Sequence, residues 1–280
     1  DDYKDDLRCR PNLLNYFAGG SDYLPTQSGK RVPFELSLAI HSDAGYRKDG
    51  SIFGTLGICT TQDGNGSTIY PSGLSRKASA DFADILLTGI VRDLGKTYNV
   101  AWTRRELWDR NYAETRMPNV PSAILETMSH QNFSDMKFGH DPNFKFTMAR
   151  AIYKAILRYV SASHKIDQPV VAPLPIRNFS ALLSPEGDAA LLNWQATPDS
   201  LEPSAVPDKY VLYIKQGDNE FDNGQIVNST SVRLNITPGV RYSFQVTAVN
   251  SGGESFPSEA LTLYKAKESK HTVLIVNGFT

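Results

Sequence analysis

The sequence changes character at HKIDQPVVAPLP, residues 164–175. Ahead of it, stretches of helical periodicity alternate with short apolar runs; beyond it, no helical stretch is evident. Pro169, Pro173 and Pro175 disfavour helix and suit a joint between domains. A chain of 280 residues is long for one small domain and short enough for two. The expected division is therefore a first domain over 1–163, a linker over 164–175, a second domain over 176–265 and the start of a further one over 266–280.

In the first domain PNLLNYFAGG reads as a short helix, with Pro11 in its first turn and Gly19 or Gly20 as its left-handed stop. VPFELSLAI and SIFGTLGICTT read as buried strands, and GNGSTIYPSG between them and the next helix reads as loop. In SRKASADFADILLTGIVRDL, residues Ala78, Phe82, Ile85, Leu86, Ile90 and Leu94 recur at helical steps and form one apolar stripe. PSAILETMSH is another strand, ending at Glu126. DPNFKFTMARAIYKAILRYV is the strongest helix, with Asp141 as cap, Pro142 in the first turn and Phe144, Met148, Ile152, Ile156 and Tyr159 on one side. Strands alternating with amphipathic helices imply an α/β layer fold with a mostly parallel sheet and flanking helices. The second domain instead carries short alternating segments, AALLNWQA, KYVLYIKQ, SVRLNIT and VRYSFQVTAVN, separated by turn formers, which is the pattern of an all-β sandwich.

Twenty-nine basic and thirty acidic residues give a formal charge of -1, and no basic stripe runs along the chain, so nucleic acid is not an expected partner. No apolar run reaches the roughly 20 residues that cross a bilayer, and DDYKDD is not a charged-then-apolar leader. Cys9 and Cys59 are too few for a disulfide framework and too distant for a clustered metal motif, although one bridge between them is open.

The chemistry-bearing residues sit at the ends of two strands. LSLAIHSDAG finishes an apolar run in His41, Ser42 and Asp43, and SAILETMSH finishes one in Glu126. Ligands of open α/β sheets settle beyond the carboxyl ends of strands, so His41 and Glu126 are expected to face each other. Neutral imidazole is a good zinc ligand, and a carboxylate beside it can take a proton from metal-bound water, whose pKa zinc lowers to about 7. Read singly, His41 is also a polar residue tucked at a strand end, and Glu126 a partner for an arginine of RRELWDRNYAETR. That segment, taken as a loop, carries Arg104, Arg105, Arg110 and Arg116; Arg116 is nearest in sequence to Glu126 and is the candidate for holding a substrate carboxylate. His130 is a candidate for substrate contact, whereas His140, His164 and His271 read as surface or linker residues.

Two resemblances extend this reading. The second domain resembles a fibronectin type III domain: Trp194 falls on its second strand, Tyr210, Val211 and Tyr213 on its third, Leu234 on its fifth, and PGVRYSFQVTAVNSGGESFPSE on its sixth, where Tyr242 would close a tyrosine corner. Its aromatic residues then belong to the core, and its task is spacing or docking. The first domain, through LAIHSDAG and through VPSAILETMSHQN with Asp135, Phe138, Asp141, Pro142 and Phe144, resembles the carboxyl-terminal part of zinc-dependent N-acetylmuramoyl-L-alanine amidases. The resemblance implies zinc held by His41, Glu126 as proton shuttle, Asn132 six residues beyond it, peptidoglycan or another envelope glycan as partner, and an extracytoplasmic location. The alternatives are a non-catalytic envelope or glycan-binding module, and a hydrolase or lyase-associated protein that acts on another extracellular polysaccharide or peptide amide.

The family also supplies a zinc-binding histidine and glutamate from elements ahead of this region, and neither is found here; Asp43 lies too close to His41 to replace them, and His130 is an unsupported stand-in. An upstream segment of the same protein is thus expected to complete the domain, and HTVLIVNGFT, with a buried strand from Val273 to Val276, to open another. A missing first strand is expected to leave an open sheet edge, for VLIVNGF or a neighbouring molecule to cover. Related multidomain proteins are sometimes called xanthan lyases, but no separate polysaccharide-lyase constellation is present.

Overall fold

A computed structural model describes residues 2–268 and 271–275. The chain divides into two compact units, 1–168 and 169–280.

The first unit runs α1 (Asp2–Ala18), β1 (Ser37–Asp43), β2 (Thr55–Cys59), α2 (Lys77–Tyr98), β3 (Arg104–Asp109), α3 (Ala113–Arg116), β4 (Ser122–Ser129), α4 (Phe133–Gly139) and α5 (Pro142–Ser163). The strands form one sheet in the order β1-β4-β2-β3. It is mixed: β1 with β4 and β2 with β3 are parallel, but β4 and β2 are antiparallel. The mostly parallel expectation needs this correction, and its cause is the β1–β2 connection. Residues 44–54 contain no helix and are too short a path for a parallel crossover, so β2 returns in the opposite direction.

Helices α2 and α5 pack on one face of the sheet. Phe82, Leu86, Ile90 and Leu94 of α2 meet Phe144, Met148, Ala155 and Tyr159 of α5 over Ala123 and Leu125 of β4. The expected stripes are the buried ones, and Asp141 caps α5 by accepting from the Asn143 amide, with Pro142 at the first helical position. The opposite face has a much smaller apolar set, Leu56, Ile58 and Ile124 with Ala39 and Trp108 beside them. Two boundaries differ from expectation. α1 begins at Asp2, so Pro11 lies inside it; Asp2 and Asp5 favour the positive end of the helix and extend it backwards. Segment 104–118 is not a loop but β3 followed by the single turn α3. Gly20, at φ 82°, does supply the left-handed stop.

The second unit is a sandwich. One sheet is β5 (Arg177–Leu183), β6 (Ala189–Gln195) and β9 (Ser231–Asn235); the other joins β7 (Lys209–Gln216), β8 (Gln225–Val227), β10 (Arg241–Asn250), β11 (Gly253–Glu254) and β12 (Leu261–Tyr264). Alternation along β10 and β7 buries Tyr242, Phe244, Val246, Tyr210, Leu212 and Ile214 around Trp194. The Tyr242 hydroxyl accepts from the Thr237 amide at 3.1 Å, closing the corner. Val273, Leu274 and Ile275 are exposed and in no strand, contrary to the buried strand expected from 273 to 276; Val276 and the residues after it lie outside the described residues.

The proline-rich stretch is not a free spacer throughout. The Asn250 side-chain amide donates to the carbonyls of Val171 at 3.0 Å, Ser204 at 3.1 Å and Val206 at 3.3 Å, while its oxygen accepts from the Gly252 amide at 2.8 Å. A Cβ on Gly252 would stand 2.2 Å from the Val170 carbonyl oxygen, so residues 170–172 lie directly on this bend. Asn250→Ala leaves buried carbonyls without a donor and is expected to lower stability by about 1–3 kcal/mol in denaturant unfolding of the chain.

Candidate functional site

Parallel pairing of β1 with β4 sets His41 opposite Glu126, and antiparallel pairing sets Leu56 on the other side of Glu126. Both strands run past these residues, β1 to Asp43 and β4 to Ser129, so neither residue terminates its strand as expected. Residues two apart share a face of a strand. His41 and Glu126 therefore continue the face of Ala39 and Ile124, the sparsely covered one.

Glu126 sits at the edge of that apolar floor. Its Oε2 is buried and has no hydrogen-bond partner. Desolvation pushes its pKa above the ordinary glutamate value; His41 and Arg105 pull against that shift, and Asp43 and Glu114 add to it. The neighbouring charges are all spent on one another. Arg105, stacked over Phe53 with its carbon 4.1 Å from the ring centre, holds Asp43 at 2.6 Å. His41 Nε2 meets Glu114 Oε2 at 3.1 Å, and Arg10 Nη1 donates to the other oxygen of Glu114 at 2.7 Å. Glu126 is left as the carboxylate between two neutralised groups.

A cleft of about 320 Å³ opens along β1, between its residues Ser37–His41 and Arg10, Pro11 and Leu14 of α1, and reaches His41 and Glu114. Glu126 does not line it. A cleft of equal size on the sandwich includes Asp222, whose Oδ1 is occupied by the amides of Ile214 and Gly224.

Of the other expected residues, Arg116 donates to Asn111 at 2.7 Å, and His130 reaches Ser42 at 3.2 Å through Nδ1. Neither is bonded to His41 or Glu126. The arginine that acts on Glu126 is Arg105, in a segment expected to be loop, where the charged run Arg104–Glu106 gives no sign of a strand. Glu114 carried no comparable sign, because its contacts with His41 and Arg10 join residues far apart in the chain. Cys9 and Cys59 are both free thiols, so the bridge between them does not form; burial, then the charge of Asp109, pushes the Cys59 thiol up to about 12, away from nucleophilic use. His164 pairs with Glu35, His140 caps α4, and His271 is exposed.

The end of β4 is fixed by Asp135 and Asn132. The buried Asp135 carboxylate accepts from the amides of Phe53 at 2.8 Å, Gly54 at 3.1 Å and Ser129 at 2.9 Å, and from Asn132 Nδ2 at 2.8 Å. Asn132 in turn accepts from the Arg47 amide and donates to the Ser51 carbonyl. Together they tie residues 47–54 to the strand that carries Glu126.

Zinc needs more than these residues offer. Among the described residues no three histidines, cysteines, aspartates or glutamates are placed to hold one ion, and the Nε2 of His41 is already engaged by Glu114. No helix among them is long and apolar enough to cross a membrane.

Comparison with known proteins identifies one domain. Residues 174–264 match the fibronectin type III domain family, so the chain carries such a domain. Comparison with curated proteins finds no match. Among solved structures the chain is similar to an N-acetylmuramoyl-L-alanine amidase from Clostridium difficile 630, at 16% identity over 56% of this chain and 66% of that one, with a TM-score of 0.38. It is also similar to the twitchin kinase region from C. elegans, at 20% identity over 36% and 18% of the two chains and a TM-score of 0.30. The FN5 domain of Drosophila Lar gives 15% identity, 35% and 100% coverage and a TM-score of 0.27. The chain spans just under two thirds of the amidase and less than one fifth of the twitchin region.

Two measurements check this geometry. Asp135→Asn keeps one acceptor oxygen but points an amide NH2 at two of the four donors that the carboxylate now satisfies, and is expected to cost at least about 2 kcal/mol in denaturant unfolding. Glu126→Gln should raise the melting temperature at neutral pH. With the folded-state pKa above the unfolded one, Glu126 contributes most stability below the unfolded value and loses it as pH rises through the folded value. The advantage of the glutamine should therefore shrink on acidification below the ordinary glutamate range, which thermal unfolding across pH reads directly.

Proposed function

We propose that the first domain belongs to a cell-envelope hydrolase of the N-acetylmuramoyl-L-alanine amidase kind, acting outside the cytoplasm on the amide that joins peptidoglycan sugar to peptide. The observation that carries this reading is the pairing of His41 with Glu126 across one parallel ladder, with a buried Glu126 oxygen left unbonded. A carboxylate whose proton affinity is raised by desolvation is suited to take a proton and to give it back. Glu126 takes one from the attacking water as its oxygen bonds to the amide carbon, and returns it to the nitrogen as the carbon–nitrogen bond breaks. Arg105 is paired with Asp43 beside it, and the opposing pulls of the two charges on Glu126 leave desolvation as the leading influence. On this reading zinc is the protein's metal, His41 is the ligand that these residues contribute, and the others come from a further segment of the same protein. The fibronectin type III domain spaces the hydrolase or docks it on the envelope.

A second reading, a module that binds peptidoglycan or another envelope glycan without cutting it, draws support from the internal pairing of Arg10, Glu114 and His41 and of Arg105 and Asp43. Release of peptide from purified peptidoglycan by the whole protein separates the two. Glu126→Gln is expected to lower that release at least about 100-fold while the protein stays folded. Undiminished release by this variant would remove Glu126 from the chemistry, and binding with no release by the unmodified protein would favour the second reading.

A further inference from the structure

We propose that Glu114 is the positioning residue of His41, fixing the imidazole as a donor through Nε2 and leaving the lone pair on Nδ1 for the site. The assignment rests on His41 and Glu126 forming one site, and it names how the first of them is presented.

The argument begins with what each group can do. An ionised carboxylate only accepts hydrogen bonds, and a neutral imidazole has one nitrogen that donates and one that accepts. Glu114 Oε2 lies 3.1 Å from His41 Nε2, so Nε2 carries the hydrogen, and in the neutral ring Nδ1 then carries the lone pair. Glu114 is itself held. Arg10 donates to its other oxygen at 2.7 Å, and its side chain is only 13% exposed, against 37% for His41. The guanidinium keeps its charge at any ordinary pH, so the carboxylate that meets the ring is itself anchored. Among the described residues no bond to His41 Nδ1 is found. The carboxylate that meets His41 is Glu114 and not its register partner Glu126, whose Oε2 has no hydrogen-bond partner.

Three separate elements meet in this contact: α1 gives Arg10, β1 gives His41, and α3 gives Glu114. A histidine that hands one ring nitrogen to a carboxylate and keeps the other free is oriented for use, because the shared hydrogen fixes both the tautomer and the ring plane. The group that His41 can approach, whether a proton donor or a cation, therefore meets Nδ1. His164 and Glu35 form a similar contact at 2.8 Å, but with side chains 50% and 31% exposed, which makes that pair an internal comparison.

Long-range proton–nitrogen spectra of the 280-residue chain, labelled with nitrogen-15 in histidine and assigned through His41→Gln, read the two nitrogens separately. His41 is expected to show a proton-bearing Nε2 and a lone-pair Nδ1, with that tautomer in more than about tenfold excess, and a slower-exchanging ring hydrogen than His164. Glu114→Gln, whose amide donates as well as accepts, should reduce the excess at least about threefold. A lone-pair Nε2 in the unmodified chain, or an unchanged ratio in Glu114→Gln, would overturn the assignment. Should that variant fold poorly, Arg10→Gln frees the anchored carboxylate and should lower the ratio in the same direction; no change there counts against the proposal equally. The spectra need neither substrate nor metal, so the outcome is independent of peptide release, on which the hydrolase reading stands.

Discussion

The ladder between β1 and β4 is the constraint on which the site depends. Side chains alternate across a sheet, so a slip of one residue in β1 would carry His41 to the helix-covered face and bring its neighbours in its place. The register is held from both faces. Ala123 and Leu125 are pinned under α2 and α5, while Ile124 joins Leu56 and Ile58 on the other side. At the start of the pair the Ser37 amide bonds to the Pro121 carbonyl, and the Ser122 amide to the Ser79 hydroxyl. At its far end Asp135 collects three backbone amides, one of them from Ser129. A buried anion with four donors is well satisfied, and the loop it organises has no freedom to pull β1 out of step.

That same architecture explains the state of Glu126. The helix-covered face takes most of the apolar material, and the opposite face receives only a small cluster, enough to desolvate one carboxylate without enclosing it. Around it, each permanent charge finds a counter-charge: Asp43 with Arg105, Glu114 with Arg10. A buried carboxylate oxygen without a partner costs the fold stability, and Glu126 Oε2 is one such atom among the described residues.

Local rules carried far where each segment is governed by its own periodicity. α5 followed from Asp141, Pro142 and a single apolar stripe, and the sandwich followed from alternation between turns, because in both the pattern of burial is set within the segment. β3 is an edge strand in which Arg104, Arg105 and Glu106 put charge on both faces, so its sequence lacks a period of two. α1 was read short because Pro11 suggests a start, whereas the acidic residues before it already favour a helix. The pairing of His41 with Glu126 was legible from strand placement; the roles of Arg10, Arg105 and Glu114 were not, since they arise where distant elements converge, Arg10 and Glu114 being 104 residues apart.

The bend at Asn250 has a mechanical consequence. Residues 170–172 are fastened by side-chain amide bonds and by the close approach of Gly252, not by a strand ladder. Tension applied to the chain ahead of Pro169 would load this small clasp before it reached β5, whose pairing with β6 spans many residues. The entrance of the sandwich is thus held by a few discrete bonds, and a pull from that side meets them first.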